Sequence, residues 1–221
     1  MRPLDHGPIY RETLMGRLPV EPWNTYSNIV FLVVVVYWAW RVYPQVKRHL
    51  FLAIILPVLF IGFVGGTLFH GTRSNNVWLL MDWIPIVLLC TACMLLFARR
   101  AGLPWILLLP LALVPFGTRY LLLRVWHLPP AFGMNLGYAL LGLLVLSPII
   151  THLRRNAWMH WRWIVASMLC FGVAVAFRTL DHSLSCMPMG THWLWHSFGG
   201  SATHFVLGYI WMDDRARAGV S

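Results

Sequence analysis

The sequence predicts an all-α, multi-pass membrane protein, a seven-transmembrane helix bundle that forms a single domain over residues 1–221. Of its 221 residues, 59% are hydrophobic and 11% are charged, and the mean hydropathy is +0.67. A soluble domain of this length cannot bury so much apolar surface, whereas a bilayer solvates it. Apolar runs near the ~20 residues that a spanning helix needs occur at 24–43, 50–70, 77–98, 103–123, 132–153, 158–180 and 191–212.

The N-terminal segment and the fourth run differ from the regular apolar pattern. Residues 1–23 form a short segment outside the first span; they mix Arg, Asp, Glu and Pro and lack the apolar core of a signal peptide. Pro104, Pro110 and Pro115 interrupt the fourth run. Membrane helices tolerate prolines where neighbouring groups satisfy the freed carbonyls, so the fourth run is still predicted to span.

The charge distribution predicts an orientation. The net charge of +10 comes from 17 Lys+Arg against 7 Asp+Glu, and the basic residues stand between apolar runs. That placement is typical of topology signals and anionic-lipid contacts and disfavours nucleic-acid binding. Loops on the side of the C-terminus carry more Arg and Lys, which predicts a cytoplasmic C-terminus and a non-cytoplasmic N-terminus. In a bacterium this is the inner membrane.

Three polar clusters interrupt the apolar pattern, and ionisable groups at membrane depth are functional candidates. His70 closes the second run, Asp82 lies early in the third, and His192 and His196 open the seventh. With alternating spans, these three places lie at the same face of the membrane. The sequence therefore predicts that four distant side chains converge there, on the non-cytoplasmic side.

The spacing of the histidines predicts a zinc site. His192 and His196 share a helix face at i and i+4, and His70 supplies a third imidazole, which leaves tetrahedral Zn²⁺ one open position for water. The glutamate of zinc-protease helices is absent, because Trp193 follows His192, so Asp82 is the candidate catalytic base. An H-x-x-x-H pair flanked by tryptophans is also typical of an interfacial anchor. His204, further along the same face, is predicted to be structural or to hydrogen-bond beside the site.

These features occur in an order that resembles the alkaline ceramidase family, within the CREST superfamily of membrane hydrolases, and its bacterial ceramidase-like branch in particular. The matching segments are EPWNTYSN at 21–28, FHGT at 69–72, Asp82 with Pro85, FRTLD at 177–181, and GTHWLWH at 190–196. The resemblance implies seven helices and a zinc ion on His70, His192 and His196. It also implies a ceramide-like lipid that enters from the bilayer and is hydrolysed at its amide to a sphingoid base and a fatty acid, with Asp82 as acid and base.

The chain departs from the family pattern beside the first histidine. The family usually has a serine four residues before it, and here Gly66 stands at that position. Thr67, one residue later, either replaces this serine as a catalytic group for the oxyanion or only caps or packs. The alternative function is therefore a catalytically weak or inactive receptor-like relative that keeps a structural zinc. Haem ligation is disfavoured because His192 and His196 share a face.

The N-terminal segment raises a second metal hypothesis through the same resemblance. Animal members have a calcium site there; Glu21 matches one ligand and Glu12 another loosely, while Asp5 has no secure counterpart. Calcium takes six to eight oxygens, and this segment supplies few. The alternative interpretation is that Glu21 caps the first span. Asn24, Ser27 and Asn28 share a helix face and are predicted to hydrogen-bond the loop or a neighbouring helix, with Asn24 and Ser27 beside the metal site.

Asp181 near the end of the sixth run has two interpretations. It stands three residues after Arg178, a spacing that allows the two charges to pair on a helix. Alternatively, its carboxylate orients one of the zinc histidines as a hydrogen-bond acceptor.

Overall fold

The computed structural model describes residues 3–127 and 129–219, so the ends of the predicted domain, 1–2 and 220–221, lie outside the described residues. Within the described ranges the chain is helical and contains no strand. The helices are α1 (Pro22–Ser27), α2 (Ile29–Val42), α3 (Leu50–Thr72), α4 (Asn76–Arg100), α5 (Trp105–Tyr120), α6 (Pro130–Arg155), α7 (Trp161–Thr179) and α8 (His192–Arg217). The predicted all-α class is confirmed.

Six stretches of the described chain are long and apolar enough to cross a membrane, where seven were predicted. They are Pro22–Gln45, Leu50–Thr72, Asn76–Arg100, Trp105–Val125, Asn135–Arg155 and Trp161–Thr179. The chain is thus a multi-pass membrane protein. Helix α8 has 26 residues, so its length suffices, but histidines near its start and the pair Asp213 and Asp214 near its end lower its hydropathy. Both aspartates are buried.

By its contacts the chain divides into two compact units, and the first comprises Met1–Ile86 and His160–Ser221. Small residues let its helices approach closely. At Gly200 a Cβ would lie 2.6 Å from Val30 Cγ1, and at Gly208 a Cβ would lie 2.5 Å from Trp163 Cε3. Ser167 Oγ on α7 donates to the Ala202 carbonyl on α8 at 2.8 Å. Helix α8 therefore packs closely against α2 and α7.

The second unit, Val87–Met159, contains the C-terminal part of α4 with α5 and α6. The Arg155 guanidinium donates to the Ala101 carbonyl, and the His152 ring lies 5.4 Å from that of Phe97. Asn156 then ends α6 by donating its side-chain amide to the His152 carbonyl at 2.8 Å. These contacts join the C-terminal ends of α4 and α6.

The turn between α3 and α4 brings His70 and Asp82 to the same end of two adjacent helices. Helix α3 ends at Arg73, whose φ of 49° lies in the left-handed region, and its amide donates to the Phe69 carbonyl. Asn75 Oδ1 then accepts from the Val77 amide at 2.8 Å and supports the first turn of α4. The chain reverses within a few residues, so His70 and Asp82 stand on adjacent helices at the same end.

Alanine at Gly65 is expected to destabilise this helix pair. An added Cβ would overlap the Met81 side chain and backbone and lie 2.7 Å from the Met81 carbonyl oxygen. Backbone cannot swing aside as a side chain can, and overpacking typically costs about 1–3 kcal/mol. The thermal midpoint of Gly65→Ala in detergent should therefore fall below that of the native chain. Gly117→Ala is the control, because a Cβ there meets nothing within 4 Å; equal losses would contradict close packing at Gly65.

Candidate metal centre

Three buried histidines from two helices meet in the first unit. His70 lies in the last turns of α3, and His192 and His196 lie in the first turns of α8. Their ring centroids are 5.3 Å (His70 to His192), 4.9 Å (His70 to His196) and 4.8 Å (His192 to His196) apart. One nitrogen from each ring lies within 4.8 Å of the other two, a grouping that could hold a metal ion. The predicted convergence of these histidines is observed.

A carboxylate orients the His70 ring. His70 Nδ1 lies 2.5 Å from Glu21 Oε2. Because a carboxylate accepts, Nδ1 donates this hydrogen bond, and Nε2 is the nitrogen that remains available to a metal. Within the part of the chain that the structure describes, His70 Nε2 is buried and has no hydrogen-bond partner. A buried ring nitrogen with a free lone pair, on a ring held from behind by a carboxylate, is the usual arrangement of a metal-binding histidine.

Glu21 remains ionised in this setting. Burial alone raises the pKa of its carboxyl, but hydrogen bonds from His70 and Thr13 and the charge of Arg73 outweigh burial and bring the pKa below its ordinary value. Thr13 Oγ1 donates to Glu21 Oε1 at 2.6 Å, and the Arg73 guanidinium donates to the same oxygen. The carboxylate therefore bears a negative charge beside His70.

The other two histidines are held by neighbours on different elements. His196 Nδ1 lies 2.8 Å from Ser27 Oγ and 3.1 Å from the Asn24 carbonyl oxygen. Because a carbonyl oxygen can only accept, Nδ1 is the donor of that bond. Nε2 of His196 therefore points away from Ser27 and Asn24. The His192 ring stacks on Tyr10 at 3.8 Å. Burial raises the pKa of the Tyr10 hydroxyl, which stays protonated. Ser27 thus contacts His196 with its side chain, whereas Asn24 contacts His196 with its backbone carbonyl and Glu21 with its side-chain amide.

Asp181 fixes the start of α8. Its Oδ1 accepts from the amides of Thr191 at 2.8 Å and His192 at 2.9 Å, and its Oδ2 accepts from the Arg11 amide at 2.9 Å. Gly190 (φ 73°) allows this approach, because a Cβ there would overlap Asp181 Oδ1. The carboxylate therefore positions the His192 backbone rather than an imidazole nitrogen, which differs from the predicted role as an acceptor for a zinc histidine.

Asp82 lines a cavity together with His196. The polar members of the lining are Asn28, Asp82 and His196, and apolar side chains form the rest, among them Phe31, Leu59, Phe63, Pro85, Ile86 and Trp195. Gly66 faces these groups: a Cβ there would lie 2.6 Å from Asp82 Oδ1 and 2.7 Å from Asn28 Oδ1. The glycine at the expected serine position thus leaves room for the two oxygens. The sequence predicts hydrogen bonding by Asn28 on the face that it shares with Asn24 and Ser27, and the structure adds its place beside Asp82 in the cavity lining.

Two predicted residues have other surroundings. Thr67 Oγ1 is buried and has no hydrogen-bond partner among the described residues, and Thr67 does not belong to the described lining of the Asp82 cavity. The His204 ring lies 5.4 Å from Tyr37, 5.5 Å from Trp38 and 6.2 Å from Trp163. His204 is therefore part of an aromatic cluster further along α8, which agrees with the structural alternative of the two roles predicted for it.

The structure gives no support to calcium binding by Glu12 and Glu21. Glu12 accepts from the amides of Trp23 at 2.9 Å and Asn24 at 2.6 Å and so caps α1. Burial raises the pKa of Glu12, and these two amides oppose that rise. Hydrogen-bond donors therefore occupy oxygens that calcium would need. Glu21 acts instead as the acceptor for His70, a role that the sequence did not reveal.

Sequence reasoning missed the buried cluster behind His70. Asp5 and Arg73 form a two-pronged ion pair, with Nη2 to Oδ1 at 2.7 Å and Nε to Oδ2 at 2.8 Å, and both side chains are fully buried. In the sequence, Arg73 is one of the basic residues that stand between apolar runs. Its position three residues after His70, at the end of a helix, is the sequence feature that indicates a place near the metal centre.

No protein-family model matches this chain, and no curated protein matches it.

Glutamine at Glu21 is expected to weaken metal binding. Its side-chain oxygen can still accept from His70 Nδ1, but the negative charge that increases the basicity of the ring is lost. Removing such a partner typically lowers metal affinity about 10–100-fold. The dissociation constant for zinc, measured by competition with a chromophoric chelator, should rise accordingly. Glu12→Gln is the matched control, and an equal rise in both variants would contradict a specific role for Glu21.

Proposed function

We propose that this protein is a zinc-dependent membrane hydrolase that cleaves the amide bond of ceramide-like N-acyl lipids and yields a sphingoid base and a fatty acid. The observation that carries the proposal is the buried group of His70, His192 and His196, one of which shares an apolar-walled cavity with Asp82. In this proposal α8 is the seventh span, since its 26 residues extend ~39 Å at 1.5 Å per residue.

Zinc is the metal that suits these donors best. Imidazole nitrogens bind zinc readily, and three of them leave one position of a tetrahedral ion for water or substrate, as catalytic zinc sites require. The carboxylate of Glu21 behind His70 and the acceptors behind His196 are partners typical of such ligands. Each holds Nδ1 of its ring, fixes the orientation of the ring and leaves Nε2 as the nitrogen available to the metal.

Asp82 supplies the proton chemistry in this mechanism. Bound zinc would supply Lewis-acid polarisation of the amide carbonyl and would acidify water. Asp82 takes a proton from the attacking water as the oxygen adds to the amide carbon, and then delivers it to the leaving nitrogen as the C–N bond breaks. The products are a carboxylic acid and an amine, so water is the only co-reactant.

The walls of the cavity support a lipid substrate. Phe31, Leu59 and Phe63 lie beside Asp82 and offer apolar contacts to an acyl or sphingoid chain. Asn28 lies on the same wall and brings an amide beside the carboxylate, where polar groups near the scissile bond of a ceramide-like lipid would bind. Such a lipid resides in the bilayer and reaches the site laterally between helices.

A second candidate is a receptor-like relative that keeps zinc for structure. Gly66 brings no hydroxyl to the cavity, and Thr67 is not among the described lining residues. A hydroxyl group at the position of the family serine is therefore missing from the described wall. In this candidate the cavity binds a lipid without cleaving it.

Hydrolysis by purified protein separates the two candidates. Zinc-loaded protein in detergent is incubated with ceramides of several chain lengths, and released sphingoid base is measured by mass spectrometry. The hydrolase predicts release that a chelator abolishes and added zinc restores. A matched ester lipid tests whether the amide is required. Lipid binding without release by zinc-loaded protein would contradict the hydrolase and favour the receptor-like candidate.

The proposed sidedness makes Cys186 a useful probe. Cys186 is an exposed thiol in the loop before α8, close in sequence to the metal histidines. If the site faces the non-cytoplasmic side, a membrane-impermeant maleimide should label Cys186 in intact bacterial cells before lysis. A Cys186→Ser variant is the control for labelling at other cysteines. Labelling that requires permeabilised cells would reverse the proposed orientation.

A further inference from the structure

Arg73 combines an unfavourable backbone conformation with complete burial. Its φ of 49° at the end of α3 is a conformation that glycine and asparagine adopt far more readily than arginine. Its side chain is nevertheless fully buried, and the guanidinium lies 4.6 Å above the Phe69 ring. The backbone conformation at this helix end does not favour arginine, so contacts of the side chain must offset its cost.

The guanidinium joins two carboxylates of the N-terminal segment. Nε and Nη2 bind the two oxygens of Asp5 at 2.8 and 2.7 Å, and Nη1 binds Glu21 Oε1. Burial opposes the charge, but Asp5 and Glu21 raise the pKa of Arg73 above its ordinary value, so the group is a permanent cation. Backbone bonds add to this link: the Leu4 amide donates to the Arg73 carbonyl at 3.1 Å, and the Glu21 amide donates to the His70 carbonyl at 3.1 Å.

Without this cation the two carboxylates would repel each other in a buried environment. Loss of the guanidinium would remove the donor that holds Glu21 Oε1, and the repulsion would push the two carboxylates apart. Glu21 has its second oxygen 2.5 Å from His70 Nδ1. Any such change at Glu21 therefore disturbs the ring that the metal centre requires in a fixed orientation.

We propose that Arg73 is a positioning residue of the metal centre: its guanidinium acts as a built-in cation that holds Glu21 against His70 and fastens the N-terminal segment over the site. The inference rests on the proposed metal site of His70, His192 and His196. It also implies that the centre assembles without a separate cation such as calcium between Asp5 and Glu21.

The test removes the guanidinium and then returns it from solution. In Arg73→Gly the backbone conformation becomes more favourable, while the cation and its packing against Phe69 are lost. We expect zinc affinity to fall about 10–100-fold, as when a partner of a ligating histidine is removed, and the visible spectrum of the cobalt-loaded site to change. Millimolar methylguanidinium should restore both, whereas sodium chloride at the same ionic strength should not. Arg73→Lys, which keeps a charge without the fork, should lie between.

Control variants and calcium complete the design. Arg17→Gly removes an arginine that donates, among the described residues, to the backbone carbonyls of Val20 and Glu12. The zinc affinity of this variant should equal that of the native chain. Added calcium should leave the zinc affinity of the native chain unchanged.

Two results for Arg73→Gly would overturn the inference while the metal site stands. One is a zinc affinity equal to that of the native chain, and the other is a loss that neither methylguanidinium nor Arg73→Lys reduces. Tighter zinc binding by the native chain in calcium would also overturn it. A native chain without zinc affinity would overturn both.

If Arg73→Gly cannot be purified, Arg73→Lys provides the test. A shifted cobalt spectrum with intermediate zinc affinity supports the inference, and a native spectrum with native affinity overturns it.

Discussion

Ceramide hydrolysis should fall about 10²–10⁴-fold in Asp82→Asn, the range that loss of a general acid–base typically produces. Asparagine keeps the shape of the side chain but cannot take a proton from water at neutral pH. Asp82 is not one of the three histidine ligands, so the variant should keep its zinc. Single-turnover rates and elemental analysis on the same preparation measure both quantities.

Asp213→Asn is the matched control for this experiment. Asp213 binds Arg217 Nε at 3.0 Å near the opposite end of α8, and its substitution should leave the hydrolytic rate unchanged. A normal rate in Asp82→Asn would remove Asp82 from the proposed mechanism. A rate that falls together with zinc content would instead make Asp82 part of metal binding.

Alanine at His196 should abolish stoichiometric zinc binding, from about one ion per chain to almost none, because a site with two remaining imidazoles no longer has the three protein ligands of a catalytic zinc. His196 contributes its ring to the centre and its Nδ1 to Asn24 and Ser27. Metal content after dialysis against a weak chelator, measured by elemental analysis, checks the prediction.

His204→Ala is the corresponding control on the same helix. Its ring contacts Tyr37, Trp38 and Trp163, so the substitution should leave zinc content at the native value. Equal zinc content in His196→Ala and the native chain would show that the ion is held elsewhere. Equal loss in both variants would point to a general disturbance of α8.

Hydropathy predicted most of the helices because lipid-facing surfaces must be apolar. The discrepancy is α8, which was predicted as a span and is not among the six apolar stretches. Its inward face carries His192, His196 and the buried Asp213 and Asp214. A helix that brings polar groups to a protein interior has low average hydropathy even when packing covers those groups, so an average over the helix underestimates its compatibility with the bilayer.

The three histidines were predictable because their spacing follows from helix geometry. An i and i+4 pair shares a face, and alternation of the spans brings His70 to the same side. The partners behind the rings were less predictable. Asn24 and Ser27 were found through their common helix face, whereas Arg73 and its bond to Glu21 depend on the path of residues 3–21, which no periodicity encodes. Sequence alone shows the charges of Asp5, Glu21 and Arg73 but not their pairing.

The contacts of Gly66 are likewise not predictable from the sequence. The glycine was interpreted only as a missing hydroxyl, yet its lack of a Cβ makes room for Asp82 Oδ1 and Asn28 Oδ1. That information exists only in three dimensions, because Asn28, Gly66 and Asp82 belong to three different segments of the chain.

X-ray absorption at the zinc edge of the purified, metal-loaded protein tests the metal centre most directly. The account predicts three imidazole nitrogens and one further light ligand about 2.0–2.1 Å from the ion. His196→Ala should lose one imidazole contribution or the ion itself. A spectrum dominated by sulfur, a shell of oxygen ligands without imidazole, or a native chain that retains no zinc would contradict it.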